Sequence, residues 1–153
     1  MITDSGLSEI RGFRAIGPSL GTAGQPTEEQ LRSVRAAGFE AVINLALPTS
    51  DHALANEGSL VTGLGMAYAH IPVDFKSPTA RDFQAFCGVM DAFAGRRVFV
   101  HCAANMRVSA FVFLYRVLRQ RVARAEAEGD LRAIWEPDAV WGRFIQDRLR
   151  DGQ

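Results

Sequence analysis

The stretch from Val98 to Tyr115 constrains the fold most, because it passes from strand to turn to helix without a break. Val98-Phe-Val100 is a short apolar run rich in β-branched residues, the pattern of a buried strand. Ala110 to Leu118 is almost wholly apolar and predicts a helix buried on most sides. Between them lies His101-Cys102-Ala-Ala-Asn-Met-Arg107-Val-Ser109. A loop that feeds a helix N-terminus gathers unpaired backbone N–H groups at the positive end of the helix dipole. Such a place suits an anion. A cysteine at its mouth is set to act as a nucleophile, and an arginine at its far end can grip a planar oxyanion. A free cysteine alone is more often a core residue. The coincidence of His, Cys, Arg and Ser on one turn favours a chemical role.

The rest of the chain alternates strand and helix patterns. Phe13–Ile16 and Ser19–Thr22 predict short strands about a Gly17-Pro18 turn. Gly24-Gln25-Pro26 breaks the chain, and Thr27 with Gln30 forms a capping box for a helix that ends at Gly38. Ala41-Val-Ile-Asn-Leu45 predicts a buried strand, Pro48–His52 a loop, and Ala53–Leu64 a helix. Met66–Val73 predicts the next strand, followed by the loop Asp74-Phe-Lys-Ser-Pro78. Thr79 caps a helix to about Phe93, with Phe83, Phe86, Val89, Met90 and Phe93 as its core stripe. Val122–Ile134 predicts a helix broken near Gly129 and Asp130. Pro137 opens a last helix from Asp138 to Arg150. This order implies one α/β domain over residues 1–153, with a mainly parallel sheet flanked by helices. In such sheets ligands sit at the carboxyl ends of the strands. The Cys102 loop, the Asp74 loop and the Pro48–His52 loop all leave strand C-termini, so the three are expected around one pocket.

A chain of 153 residues is long enough for one sizeable core. Seventeen basic residues balance seventeen acidic ones, so net charge points to neither nucleic acid nor an anionic membrane. Met1-Ile-Thr-Asp-Ser-Gly6 lacks the basic and apolar regions of a signal peptide, and the expected location is cytoplasmic. Two cysteines in such a chain do not make a disulfide framework.

His101-Cys102 with a following Arg and Ser before a long apolar helix resembles the protein tyrosine phosphatases, in particular the compact dual-specificity type. Tyr68-Ala-His-Ile-Pro-Val-Asp74 is similar to the strand and loop that carry their general acid. From Gly24-Gln-Pro26 to Trp135-Glu-Pro137 the chain resembles a bacterial family of phosphatase-like domains, relatives of which are fused to metallo-β-lactamase-like hydrolases. The resemblance implies hydrolysis of phosphate monoesters through a phosphocysteine on Cys102, with no metal or cofactor. It implies that Arg107 clamps the phosphate and that the N–H groups of Ala103, Ala104, Asn105, Met106, Arg107 and Val108 cradle it. Asp74 would be the general acid, Ser109 would stabilise the departing thiolate, and His101 would brace the loop.

The chain departs from the family pattern in one respect. Four residues separate Cys102 from Arg107 where the pattern has five, yet Ser109 stands where the pattern wants it. Either Arg has moved one position forward in a full-length loop, with Val108 in its usual place, or the loop is one residue shorter. A one-position shift moves a Cα by ~3.8 Å and redirects the side chain. On the first alignment, exchanging Arg107 and Val108 raises activity; on the second it drives a charge into apolar contacts. Asn105 replaces the usual Gly, and Asn is the next residue to accept a left-handed backbone. Rhodanese loops also present a cysteine at such a turn and are about one residue shorter, so a sulfurtransferase is the alternative; a non-catalytic phosphate-binding module is a third reading. Asp82 is the fallback acid, although a helix start explains it. Cys87, Trp135 and Trp141 read as core or interface, His70 as a hydrogen-bonded core residue, and His52 as a loop residue near the pocket.

Overall fold

The computed structural model describes residues 6–153; residues 1–5, on which the N-terminal reading chiefly rests, lie outside the described residues. A single turn of 3-10 helix, Leu7–Glu9, precedes β1 (Arg14–Ile16) and β2 (Leu20–Ala23). Next come α1 (Glu28–Ala36), β3 (Ala41–Asn44), α2 (Glu57–Gly63), β4 (Ala67–His70), α3 (Ala80–Ala92), β5 (Val98–His101), α4 (Met106–Leu118), α5 (Arg124–Ile134) and α6 (Ala139–Asp151). The five strands lie in the order β1-β2-β5-β3-β4. Only the β1–β2 pair is antiparallel; β2, β5, β3 and β4 run parallel. The sheet is therefore mainly parallel, as the strand–helix alternation requires.

Strand alternation sorts the core into two layers. Val42 and Phe99 face α1 and α2, where Leu31, Val34 and Val61 cover them. Ile43, Val98 and Val100 face the other way, beneath α3 to α6. The same alternation sends His101 to the first layer and Cys102 to the second. Ala23, His101, Asn44 and His70 stand in register across the carboxyl edge of the sheet. Every residue of β3 and β5 is buried, which explains their unbroken apolar runs.

Several helix boundaries differ from expectation. The central helix α4 begins at Met106, not Ala110. Arg107 and Ser109 look like loop residues by polarity, but they lie in its first turn and are buried. α2 begins at Glu57, because residues 51–56 form turns, including an Ala53 N–H bond to Ser50 O. Gly58 belongs inside it, since a Cβ there would come within 3.2 Å of the Tyr68 ring. α5 runs unbroken through Gly129. α6 is capped by Asp138, whose carboxylate accepts from Trp141 N at 2.9 Å, so Pro137 stands before the cap and outside the first turn.

Asp130 binds α5 to the sheet and the central helix, accepting from Arg14 Nε at 2.9 Å and Arg116 Nη1 at 2.6 Å. Burial alone would raise its carboxyl, but the hydrogen bonds and charges of Arg14 and Arg116 outweigh it and hold the group below its ordinary 3.8. A depressed carboxylate stabilises the fold fully above its unfolded value and loses that contribution as pH falls through the folded one. Acid titration of thermal stability should therefore show a loss below about pH 3.8 that Asp130→Asn flattens. An unchanged acid limb in the variant would contradict this assignment.

Candidate active site

β5 delivers Cys102 to the carboxyl edge of the sheet, one residue beyond His101. The turn Cys102–Asn105 is stitched to the end of β2. Cys102 N donates to Ala23 O at 3.2 Å, and Gln25 N donates to Ala103 O at 3.1 Å. Gly24 permits this approach, because a Cβ there would stand 2.5 Å from Ala103 O. Asn105 takes the left-handed backbone the turn demands, at φ 68°. Its side-chain amide donates to Gly12 O at 2.8 Å and Thr22 Oγ1 at 3.1 Å. These bonds give Asn a reason to stand there in place of Gly. The N–H groups of Met106, Arg107 and Val108 then open α4 with no carbonyl one turn back inside the helix. Two of the nearest carbonyls outside it are taken: Cys102 O faces His101 Nδ1, and Ala103 O serves Gln25.

Arg107 is 6% exposed. Its Nη1 donates to Val73 O at 2.9 Å, and its guanidinium carbon lies 5.9 Å from the centre of the Phe75 ring. Nε is buried with no hydrogen-bond partner. A buried guanidinium N–H without an acceptor is costly, so an acceptor brought to this atom would be favoured. Nη1 anchors the loop, and the Nε–Nη2 edge remains, the edge that receives a carboxylate or phosphate side-on. Val108 is fully buried in the larger core layer.

The arginine thus touches the loop that carries Asp74. Asp74 itself is exposed, with Oδ1 accepting from Lys76 N at 2.9 Å and its carbonyl accepting from Ser77 N at 3.0 Å. A second anchor comes from α6, where Trp141 Nε1 donates to Phe75 O at 2.8 Å. The Phe75 ring packs between Trp135 and Trp141, with centroids 5.7 and 5.9 Å away. Both tryptophans, read from sequence as core or interface, therefore hold the Asp74 loop. Trp135 also donates to Ser109 Oγ at 3.0 Å, while that hydroxyl donates to Met106 O at 2.9 Å.

His101 is fully buried between two oxygens. Nδ1 faces Cys102 O at 3.2 Å, and Nε2 faces Glu57 Oε2 at 2.6 Å. Glu57 is 3% exposed and accepts from Gln25 Nε2 at 2.8 Å through its other oxygen. Burial pushes the Glu57 carboxyl up, but the hydrogen bond and charge of His101, with bonds from Gln25 and Tyr68, bring it below its ordinary 4.5. Sequence reasoning missed Glu57, Gln25 and Tyr68. The expected helix Ala53–Leu64 puts Glu57 within it as one more charged side chain, and nothing local announces that this one is covered.

The remaining candidates have structural places. Asp82 forms a capping box with Thr79, its carboxylate accepting from Thr79 N at 3.2 Å. Cys87 lies in the core, its thiol pushed up to about 11 by burial first of all; it and Cys102 are free thiols. His70 is hydrogen-bonded, Nε2 to Ala46 O at 2.7 Å, but it is exposed at the end of the edge strand and not in the core. His52 is exposed with a left-handed backbone. The loop from Pro48 lines a separate cleft of about 200 Å³ with Asn44, Leu54, Glu57, Tyr68 and His70. Arg107 joins two of the three expected loops; the third is not brought to them, since Pro48 lines the separate cleft. Among the described residues, no group of His, Cys, Asp or Glu could hold a metal ion.

A mainly parallel sheet that ends in a cysteine turn and a buried helix places the chain in the fold class of the dual-specificity and tyrosine phosphatases. The family described as "DSP-PTPase phosphatase fused to NAD+ Kinase" matches residues 19–140, and the chain belongs to that phosphatase family. Among solved structures, the "Putative phosphatase (DUF442)" of Shewanella putrefaciens CN-32 is 34% identical, with a TM-score of 0.86, covering 99% of this chain and 100% of that one. Tk-PTP in its active form shares the fold at a TM-score of 0.75 and 18% identity, over 92% of this chain and 97% of its own. The "Beta-lactamase hydrolase-like protein" of Agrobacterium fabrum (strain C58 / ATCC 33970) is 33% identical over 117 residues, which are 74% of this chain and 27% of that protein. The match thus spans about a quarter of that relative's length.

Proposed function

We propose that the protein hydrolyses phosphate monoesters through Cys102. The observation that carries this reading is the buried, unpartnered Nε of Arg107 beside the open first turn of α4. A tetrahedral oxyanion supplies an acceptor for that atom and for the N–H groups of the turn. Cys102 Sγ attacks phosphorus as a thiolate, a P–S bond forms, and the P–O bond to the leaving group breaks. Arg107 and the turn stabilise the charge on the equatorial oxygens. Asp74 gives its proton to the leaving oxygen, then takes one from the water that cleaves the phosphocysteine. Inorganic phosphate and the free thiolate result. Ser109 acts from a distance, by fixing the first turn to Trp135. The short form of the loop fits best, since Arg107 reaches the acid loop and Val108 is in the core. The substrates are phosphorylated proteins or small molecules.

Aryl phosphate and thiosulfate, assayed side by side, test the reading. Phosphate release with rapid-quench trapping of phosphate on Cys102 is expected; sulfur transfer without phosphate release would replace the proposal by the rhodanese one. Asp74→Asn should lower kcat by ~10²–10⁴ for a basic leaving group and little for an activated one. If Asp82→Asn shows that dependence instead, Asp74 is the wrong carboxylate.

A further inference from the structure

Glu57 has no part in the hydrolysis described above, yet its side chain is only 3% exposed. A helix start would be served equally by an exposed one. Burying a carboxylate is costly unless it is paired and hydrogen-bonded. Three elements converge to do this: Gln25 between β2 and α1, Tyr68 on β4, and His101 on β5. The Tyr68 hydroxyl, accepting from Asn44 Nδ2 at 3.1 Å, completes the set. From Glu57 the chain of contacts runs through His101 to the carbonyl of Cys102, the nucleophile's own backbone.

The contact to Cys102 fixes one proton of the ring. Cys102 O can only accept, so Nδ1 must carry a hydrogen for that bond. Glu57 Oε2 stands 2.6 Å from the other nitrogen, so the ring is held from both sides. We propose that Glu57 is a positioning residue for Cys102: it fixes the His101 ring, whose Nδ1 holds the Cys102 carbonyl and with it the turn that carries the thiol. Without Glu57 the ring is held from the Cys102 side alone. Glu57 stands in the wall of the cleft it shares with Tyr68 and His70, and His101 lies behind it with no exposed surface. For turnover, this inference rests on the phosphatase reading of Cys102; for thiol reactivity it does not.

Glu57→Gln tests the clamp at constant size, because the new amide keeps an acceptor for Gln25 and turns an N–H toward His101 in place of an oxygen. The readout is alkylation of Cys102 by iodoacetamide at pH 7, resolved by peptide so that Cys87 is counted apart. The rate is expected to fall about tenfold, while inorganic phosphate protects Cys102 at concentrations within about threefold of wild type, because Arg107 and the turn are untouched. The double variant with His101→Asn should react no more slowly than His101→Asn alone, since Glu57 acts through that ring. Wild-type alkylation in Glu57→Gln, or independent losses in the double variant, would overturn the inference. Should Glu57→Gln not fold, Glu57→Asp gives the same readout: charge is retained but reach is lost, and a several-fold slower alkylation is expected, with an unchanged rate counting against the idea. A wild type that hydrolyses no aryl phosphate but shows these alkylation changes sinks the phosphatase reading and leaves Glu57 in place. A wild type that turns over while Glu57→Gln alters neither alkylation nor kcat does the reverse.

Discussion

Cys102→Ser is expected to leave no measurable hydrolysis of an aryl phosphate, a loss of at least about 10⁴-fold, while inorganic phosphate still binds. Serine differs from cysteine by one atom at the end of the side chain. It preserves the backbone contacts of the turn, including Cys102 N to Ala23 O and Gln25 N to Ala103 O. It also leaves Arg107 Nε and the first-turn N–H groups, so the anion cradle survives. A hydroxyl is a far poorer nucleophile at neutral pH than a thiolate. Calorimetry with phosphate and a turnover assay on the same sample separate the two effects. Full activity in the variant would falsify the covalent mechanism. Loss of both binding and turnover would mean that the cysteine also shapes the cradle, and the cradle argument from Arg107 would weaken with it.

How much of this site can be read from sequence depends on how local each signal is. The turn from His101 to Ser109 is contiguous, so its strand, cysteine and helix can be read together. Asn105 could be read as a left-handed residue because so few side chains accept that backbone, and φ is 68°. Thr27 and Gln30 announced their capping box by spacing alone, and both halves are present. The start of α4 could not be read, because Arg107 and Ser109 are polar and buried at once, and polarity was the only guide. The same limit hid Glu57. Its partners stand at Gln25, Tyr68 and His101, far apart in the chain, and only the tertiary fold brings them together. Trp135 and Trp141 were legible as buried aromatics, but their indole N–H contacts to Ser109 Oγ and Phe75 O are tertiary facts. The contact between Arg107 and Val73 O is likewise set by packing and leaves no mark in local spacing.

That contact decides the outcome of exchanging Arg107 and Val108, which restores the five-residue spacing of the wider phosphatases. The double change Arg107→Val with Val108→Arg is expected to lower stability and activity together. Val108 has no exposed surface and packs in the larger core layer. An arginine sent there has no carboxylate waiting for it, and an unpaired buried charge costs ~3–5 kcal/mol. In a domain of this size that corresponds to a fall in Tm of about 10 °C. The valine left at 107 cannot donate to Val73 O, so the Asp74 loop loses that anchor and keeps Trp141 Nε1 to Phe75 O and the packing of Phe75 on Trp135 and Trp141. It also removes the fork from the anion, and loss of one such transition-state contact costs ~10²–10³ in rate. Arg107→Lys separates the two causes. Lysine keeps the charge and leaves Val108 in the core, so Tm should stay close to wild type, but it lacks the planar fork, so kcat/KM should fall by about 10². Differential scanning calorimetry and aryl phosphate kinetics on the three proteins give the answer. A double variant as stable as wild type and faster would show that the arginine is displaced within a full-length loop, and that Val108 stands where a phosphatase needs its cation.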